Sequence, residues 1–185
     1  MSVNVGLIRA WLFRLLIIAL CGLIIWAFTK PWWIGGIESY YGITGTVKIY
    51  GWGIPHTGGA VGNEIADDIT PLWQTRLAWS FVGISCVTAF ASTFLKGLRG
   101  QLLLGAVGAG TAAYALVAAF IVIQGRLSEM GINLQGESYL GGGMGTVVRA
   151  SLQTGFYVIL AGGAGLIILA IMRKLVAGKA LGKKS

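Results

Sequence analysis

Four side chains in one stretch of the chain have the chemistry to bind a divalent metal ion. They are His56, Glu64, Asp67 and Asp68, and imidazole and carboxylate groups are common ligands of such ions. Their spacing matches no established ligand motif. Carboxylates that lie just before a helix also stabilise its N-terminus, and a helix is predicted to begin near Pro71. We therefore predict no metal site, and metal binding by these four residues is kept as an open alternative.

The chain offers few other groups for catalysis. Its single histidine, His56, cannot by itself supply bis-histidine haem ligation or a multi-histidine copper site. This histidine has no evident serine or cysteine partner for nucleophilic catalysis. Cys21 and Cys86 lie in apolar stretches and are predicted to be small buried hydrophobic side chains. The sequence thus predicts a protein that is not an enzyme and that binds no cofactor.

The elements that must position these residues are four apolar stretches. Only 11% of the residues are charged, against about a quarter in soluble proteins, and the mean hydropathy is +0.78. A helix needs roughly 20 residues to cross a hydrocarbon core of about 30 Å. The pattern predicts an all-α integral membrane protein, a four-transmembrane-helix bundle that forms a single membrane domain. Its spans are expected at about 10–29, 71–95, 101–124 and 152–172.

Charge is distributed unequally between the ends of these spans. All six acidic residues fall in the predicted outer loops 30–70 and 125–151. Nine of the 14 basic residues fall at the opposite ends and in the tail 173–185, namely Arg9, Arg14, Lys96, Arg99, Arg173, Lys174, Lys179, Lys183 and Lys184. An excess of Lys and Arg marks the cytoplasmic side of a membrane. We therefore predict a multi-pass protein of the cytoplasmic membrane with both termini in the cytoplasm. The net charge of +8 is interpreted as favouring contact with anionic membrane lipids, and no nucleic-acid partner is predicted.

The outer loops carry signals of their own. Alternation of β-branched or aromatic residues with polar ones over Gly45–Trp52 predicts a strand, and hence a small β-containing first loop. One strand is not stable alone, so its partner must come from this loop, the second loop or another subunit. The glycine run Gly141–Gly145 is expected to act as a hinge. Arg76, Arg126 and Arg149 are expected to lie at the outer boundary and to pair across loops with Glu64, Asp67 and Asp68.

Small residues and tryptophans mark the surfaces predicted to take part in association. Small side chains allow helices to approach closely in a membrane, and tryptophan is favoured at the membrane interface. The same residues could instead serve packing within the chain, and both interpretations are kept. The predicted interaction residues are Gly105, Ala109, Ala113, Gly162, Gly163, Trp32, Trp33, Trp52 and Trp73.

These observations predict a non-catalytic integral membrane subunit that packs against and stabilises a larger complex, with an energy-converting or oxidising one as the expected kind. Its expected partners are membrane lipids and either other integral membrane subunits or further copies of itself. One alternative is a homo-oligomeric pore or cell-envelope protein. Another is an enzyme acting on lipid or quinone through His56 or Arg76. The layout is similar to that of claudins and tetraspanins in topology alone, because neither loop contains their cysteines.

Overall fold

The computed structural model describes residues 5–39, 44–51, 55–59, 72–140 and 145–177. The helices are α1 (Val5–Phe28), α2 (Leu72–Ser92), α3 (Gly97–Val117), α4 (Gln124–Glu129) and α5 (Thr154–Ala177). A π-helical segment, Ala118–Ile123, joins α3 directly to α4. The strands are β1 (Pro31–Glu38), β2 (Thr44–Tyr50), β3 (Pro55–Gly59), β4 (Gly136–Leu140) and β5 (Thr146–Leu152).

The prediction of an all-α fold is wrong, because the fold is mixed. Within the described residues, the five strands form one antiparallel sheet in the order β3-β2-β1-β5-β4. The two outer loops of the prediction contribute to this same sheet, since β1 pairs with β5 from Trp33 opposite Leu152 to Glu38 opposite Val147. The strand predicted at Gly45–Trp52 corresponds to β2, which pairs with β1 on one side and β3 on the other. The β-structure is therefore a shared layer and not a small feature of one loop.

The central strand β1 has a buried side that begins with Trp33. Trp33, Gly35 and Ile37 alternate with more exposed residues, as expected for a strand with one covered face. The Trp33 ring lies along the strand, so that a Cβ atom at Gly35 would overlap it. The indole N–H of Trp33 donates to the carbonyl oxygen of Leu134 at 2.9 Å. This bond fixes the segment before β4 against the sheet.

Three helical segments in the described part of the chain are long and apolar enough to cross a membrane: Gly6–Phe28, Gly97–Glu129 and Thr154–Arg173. The apolar part of α2, Arg76–Ser92, is shorter. By this measure three candidate spans are found among the described residues, against the four expected. Large apolar side chains are exposed along α1, such as Leu12, Leu15 and Ile18. Such exposure is costly in water and suits contact with lipid.

The chain forms two compact units. The first, called here the helical unit, comprises Met1–Ile25, Phe81–Ala113 and Ile159–Ser185. The second, called the sheet unit, comprises Trp26–Ser80 and Tyr114–Val158.

Candidate functional site

The small residues of α3 and α5 divide into a packed set and an exposed set. In the packed set, a Cβ atom on Gly108 would lie 2.7 Å from the carbonyl oxygen of Gly163. Conversely, a Cβ atom on Gly163 would lie 2.8 Å from the carbonyl oxygen of Gly108 and 2.9 Å from the amide nitrogen of Ala112. The two helix backbones therefore touch at this point, as small residues permit in membrane helices. Gly163 is one of the predicted interaction residues, and its contact here lies within the chain.

A second face of α5 meets α1. A Cβ atom on Gly162 would lie 2.7 Å from Cγ1 of Ile24, and one on Gly165 would lie 3.2 Å from Cδ2 of Leu20. Within the helical unit, α5 thus packs between α1 and α3. The structure uses Gly162 and Gly163 for intramolecular packing, and whether either also serves another subunit stays a prediction.

Part of the exposed set lies on α3, and Ala161 and Ala164 of α5 are exposed as well. Ala106, Ala109 and Ala113 are exposed, together with Leu102; these four residues are called the α3 outer face. Residues at such spacings share one side of a helix. The flanking sides of α3 are occupied, because a Cβ atom on Gly110 would lie 3.9 Å from the ring of Phe81 in α2, and Gly108 meets α5.

Gly105 lies at the border of this face. A Cβ atom there would lie 3.7 Å from the Cβ atom of Ala170, which is an ordinary packing distance. Of the three residues predicted at four-residue spacing, Ala109 and Ala113 are therefore available to a partner, whereas Gly105 faces α5. The spacing alone did not separate them, and Ala106, which completes the exposed face, was not among the predicted residues.

Two of the four predicted tryptophans lie in the interior of the sheet unit. Trp32 and Trp33 are each 1% exposed. The Trp32 ring makes edge-on contacts with Phe28, Tyr114 and Phe156, with centroid distances of 5.9, 6.0 and 6.3 Å. These contacts make Trp32 part of an aromatic core. Trp52 lies outside the described residues, as does the side chain of Trp73.

Charged side chains cross the exposed face of the sheet. The guanidinium of Arg149 on β5 donates from Nε to Glu137 on β4 at 2.9 Å and lies 3.4 Å from the carboxylate of Glu38 on β1. The hydrogen bond with Glu137, followed by the charge of Glu38, raises the pKa of Arg149 above its ordinary value. These contacts join the two loops, whereas the acids predicted to pair with Arg149 (Glu64, Asp67 and Asp68) lie outside the described residues, so that prediction stays untested. Arg126 pairs with Glu129 within one helix turn at 3.4 Å. Such exposed pairs contribute little stability.

The metal-binding alternative gains no further support. His56 lies on β3 opposite Lys48 of β2, while Glu64, Asp67 and Asp68 lie outside the described residues. In the residues that the structure describes, no group of three or more His, Cys, Asp or Glu side chains is placed to hold a metal ion. The alternative therefore stays untested.

One arginine that the sequence assigned to the cytoplasmic tail is buried. Arg173 is 4% exposed and donates from its terminal nitrogens to the carbonyl oxygens of Ser92 at 3.2 Å and Leu95 at 2.5 Å. It thereby satisfies carbonyl groups left open at the end of α2. Gly100 makes room for it, because a Cβ atom there would overlap the guanidinium. The signal in the sequence was a glycine in the first turn of α3, but nothing local links it to residue 173.

No protein-family model matches the chain, and no curated protein sequence matches it.

Proposed function

We propose that the protein is a non-catalytic integral membrane subunit that packs against and stabilises a larger membrane protein complex through its α3 outer face. The observation that carries the proposal is the exposure of Ala106, Ala109 and Ala113 on one side of α3. In contrast to the glycines of the packed set, these small side chains are exposed. A stripe of small residues is the surface on which a membrane helix of another subunit can approach closely.

The proposed location is the cytoplasmic membrane, with both termini in the cytoplasm. The helical unit contains the residues near both termini and the turn between α2 and α3. Its sequence carries nine Lys and Arg residues and no Asp or Glu. All six acidic residues belong to the sheet unit, and an excess of Lys and Arg marks the cytoplasmic side, which supports the proposed location of the termini.

A non-catalytic role agrees with how two of the buried hydroxyl groups are used. Ser92 donates to the carbonyl oxygen of Ala89 at 2.6 Å, and Thr111 donates to that of Val107 at 2.9 Å. Both bonds return to the residue's own helix, as is common for Ser and Thr in membrane helices. These two groups contribute to helix structure.

Extraction of the protein from its own membrane with a mild detergent, followed by native mass spectrometry, tests the proposal. We expect the wild-type protein to co-purify with larger, different subunits. Substituting Ala109→Leu adds bulk to the α3 outer face and should release these subunits. The matched control is Ala164→Leu, which makes the same change at an exposed position of α5 and should leave the assembly intact.

Two results would contradict the proposal. One is a wild-type protein that is recovered only as a monomer or a homo-oligomer, the latter favouring a pore or envelope protein. The other is an assembly that survives Ala109→Leu as well as it survives Ala164→Leu.

A further inference from the structure

The helical unit has no internal counter-charge for its arginines. Its three ranges contain no Asp or Glu in the sequence, against nine Lys and Arg residues. Exposed basic side chains are solvated by water and screened by salt ions at little cost. A guanidinium held partly inside the protein needs either a hydrogen-bond acceptor or an anion, because desolvating an unpaired charge is expensive.

Arg173 and Arg14 meet this requirement in different ways. Arg173 has the carbonyl oxygens of Ser92 and Leu95 as acceptors. Arg14 is half-buried on α1, and its Nε atom is fully buried with no hydrogen-bond partner among the described residues. The guanidinium of Arg173 therefore has hydrogen-bond acceptors within the protein, whereas that of Arg14 has none among the described residues.

Two aromatic rings hold the Arg14 guanidinium in place. Its Cζ atom lies 4.7 Å from the ring centre of Phe94 and 5.1 Å from that of Trp11. Cation–π contacts of this kind orient a guanidinium without neutralising its charge. Both rings are largely exposed, so the surface around the cation is apolar and aromatic. Thr93, next to Phe94, is fully buried, and its hydroxyl group also has no partner within the described residues.

We propose that Arg14, framed by Trp11 and Phe94, binds the phosphate group of an anionic membrane lipid. The terminal nitrogens of Arg14 are not among the fully buried atoms, so the oxygens of a phosphodiester can accept hydrogen bonds from them, although not from the buried Nε. The exposed rings of Trp11 and Phe94 suit the lipid's glycerol and upper acyl region, because aromatic side chains favour the membrane interface. A free inorganic phosphate would make the same polar contacts and would gain nothing from the rings. The occupant is therefore a lipid.

Lipid binding to the purified full-length protein tests this site. Native mass spectrometry would follow the titration of phosphatidylglycerol, with phosphatidylcholine as the neutral lipid and inorganic phosphate as the free anion. We expect phosphatidylglycerol to bind the wild-type protein in preference to both. Arg14→Gln should weaken that binding about tenfold, the effect of losing one charge-assisted contact. Arg9→Gln removes the same charge from an exposed position of the same helix and should have little effect.

A conservative variant keeps the test decisive if Arg14→Gln does not fold. Arg14→Lys retains the charge and loses the planar fork, so its affinity for phosphatidylglycerol should lie between those of the wild type and Arg14→Gln. Equal losses from Arg14→Gln and Arg9→Gln would overturn the proposal, since they would indicate diffuse attraction. Equal binding of phosphatidylcholine would also overturn it, as would competition by inorganic phosphate at matched concentration.

Discussion

At the scale of single residues, glycines decide how closely the helices of this protein pack. A Cβ atom added to Gly108 would collide with the backbone of Gly163, and one added to Gly163 would collide with the backbone of Gly108. Backbone cannot move aside as a flexible side chain can, so even one methyl group would force α3 and α5 apart. Gly22 contrasts with these two residues, because a Cβ atom there would meet nothing within 4 Å.

This contrast predicts opposite effects of the same substitution. Gly163→Ala should lower the free energy of unfolding by about 1–3 kcal/mol, the usual cost of overpacking. Gly22→Ala should leave it unchanged or raise it by up to about 1 kcal/mol, because alanine favours the helix more than glycine does. Unfolding of both variants in detergent, followed by circular dichroism, measures the difference. A Gly163→Ala variant as stable as the wild type would show that α3 and α5 do not touch there.

Residue patterns identified which positions are small or charged, but not which neighbour each one meets. Gly105, Ala109 and Ala113 have equal spacing in the sequence, yet Gly105 faces α5 and the alanines are exposed. Arg173 and Arg14 both lie at the basic ends of apolar runs, yet only Arg173 has carbonyl acceptors. These differences depend on which helices are neighbours, and periodicity along one helix does not contain that information.

At the scale of elements, the apolar stretches were predictable and the sheet was only partly so. The predicted spans overlap α1, α2, α3 and α5, because long apolar runs have few other interpretations. Strand β2 was predicted from its alternation, and β1 was not, because Pro31 and the pair Gly35-Gly36 are typical of a break in structure. Strands β4 and β5 flank the glycine run that was interpreted as a hinge, and they pair with each other. Residues 141–144 of that run lie outside the described residues.

The two cysteines lie at the contact between α1 and α2. The Sγ atom of Cys21 lies 3.8 Å from the carbonyl oxygen of Cys86, and the Sγ atom of Cys86 lies 3.9 Å from that of Cys21. Each thiol is thus directed at the other residue's backbone, and both belong to the helical unit.

Mild oxidation with copper–phenanthroline should therefore link Cys21 to Cys86 within one chain. Formation of the bond removes two hydrogen atoms and blocks both thiols from maleimide, and mass spectrometry detects both changes. As a control, the thiol is moved one position by combining Cys86→Ala with Val87→Cys, since Val87 is 69% exposed and lies on another side of α2. An intramolecular link in the control and none in the wild type would contradict the packing of α1 against α2.

At the scale of the whole molecule, the charge distribution and the exposed apolar surface both support the interpretation of an integral membrane protein. Three helical segments in the described residues could cross a membrane, and acidic and basic residues fall in different units. Stability inside the membrane comes from close packing, as in the contact between Gly108 and Gly163, and from polar groups satisfied within the protein. The α3 outer face and the Arg14 site are two places where the described part of the helical unit presents features that its own packing does not use. We interpret the first as a surface for protein and the second as a surface for lipid.

The most direct test of this account is photo-cross-linking in the native membrane from a reactive side chain placed at Ala109. The account predicts cross-links to other polypeptides, identified by mass spectrometry, from position 109. It predicts cross-links mainly to lipid from the same side chain placed at Ala164, an exposed position of α5. Cross-links to lipid alone from both positions would contradict the central claim that the α3 outer face contacts another subunit.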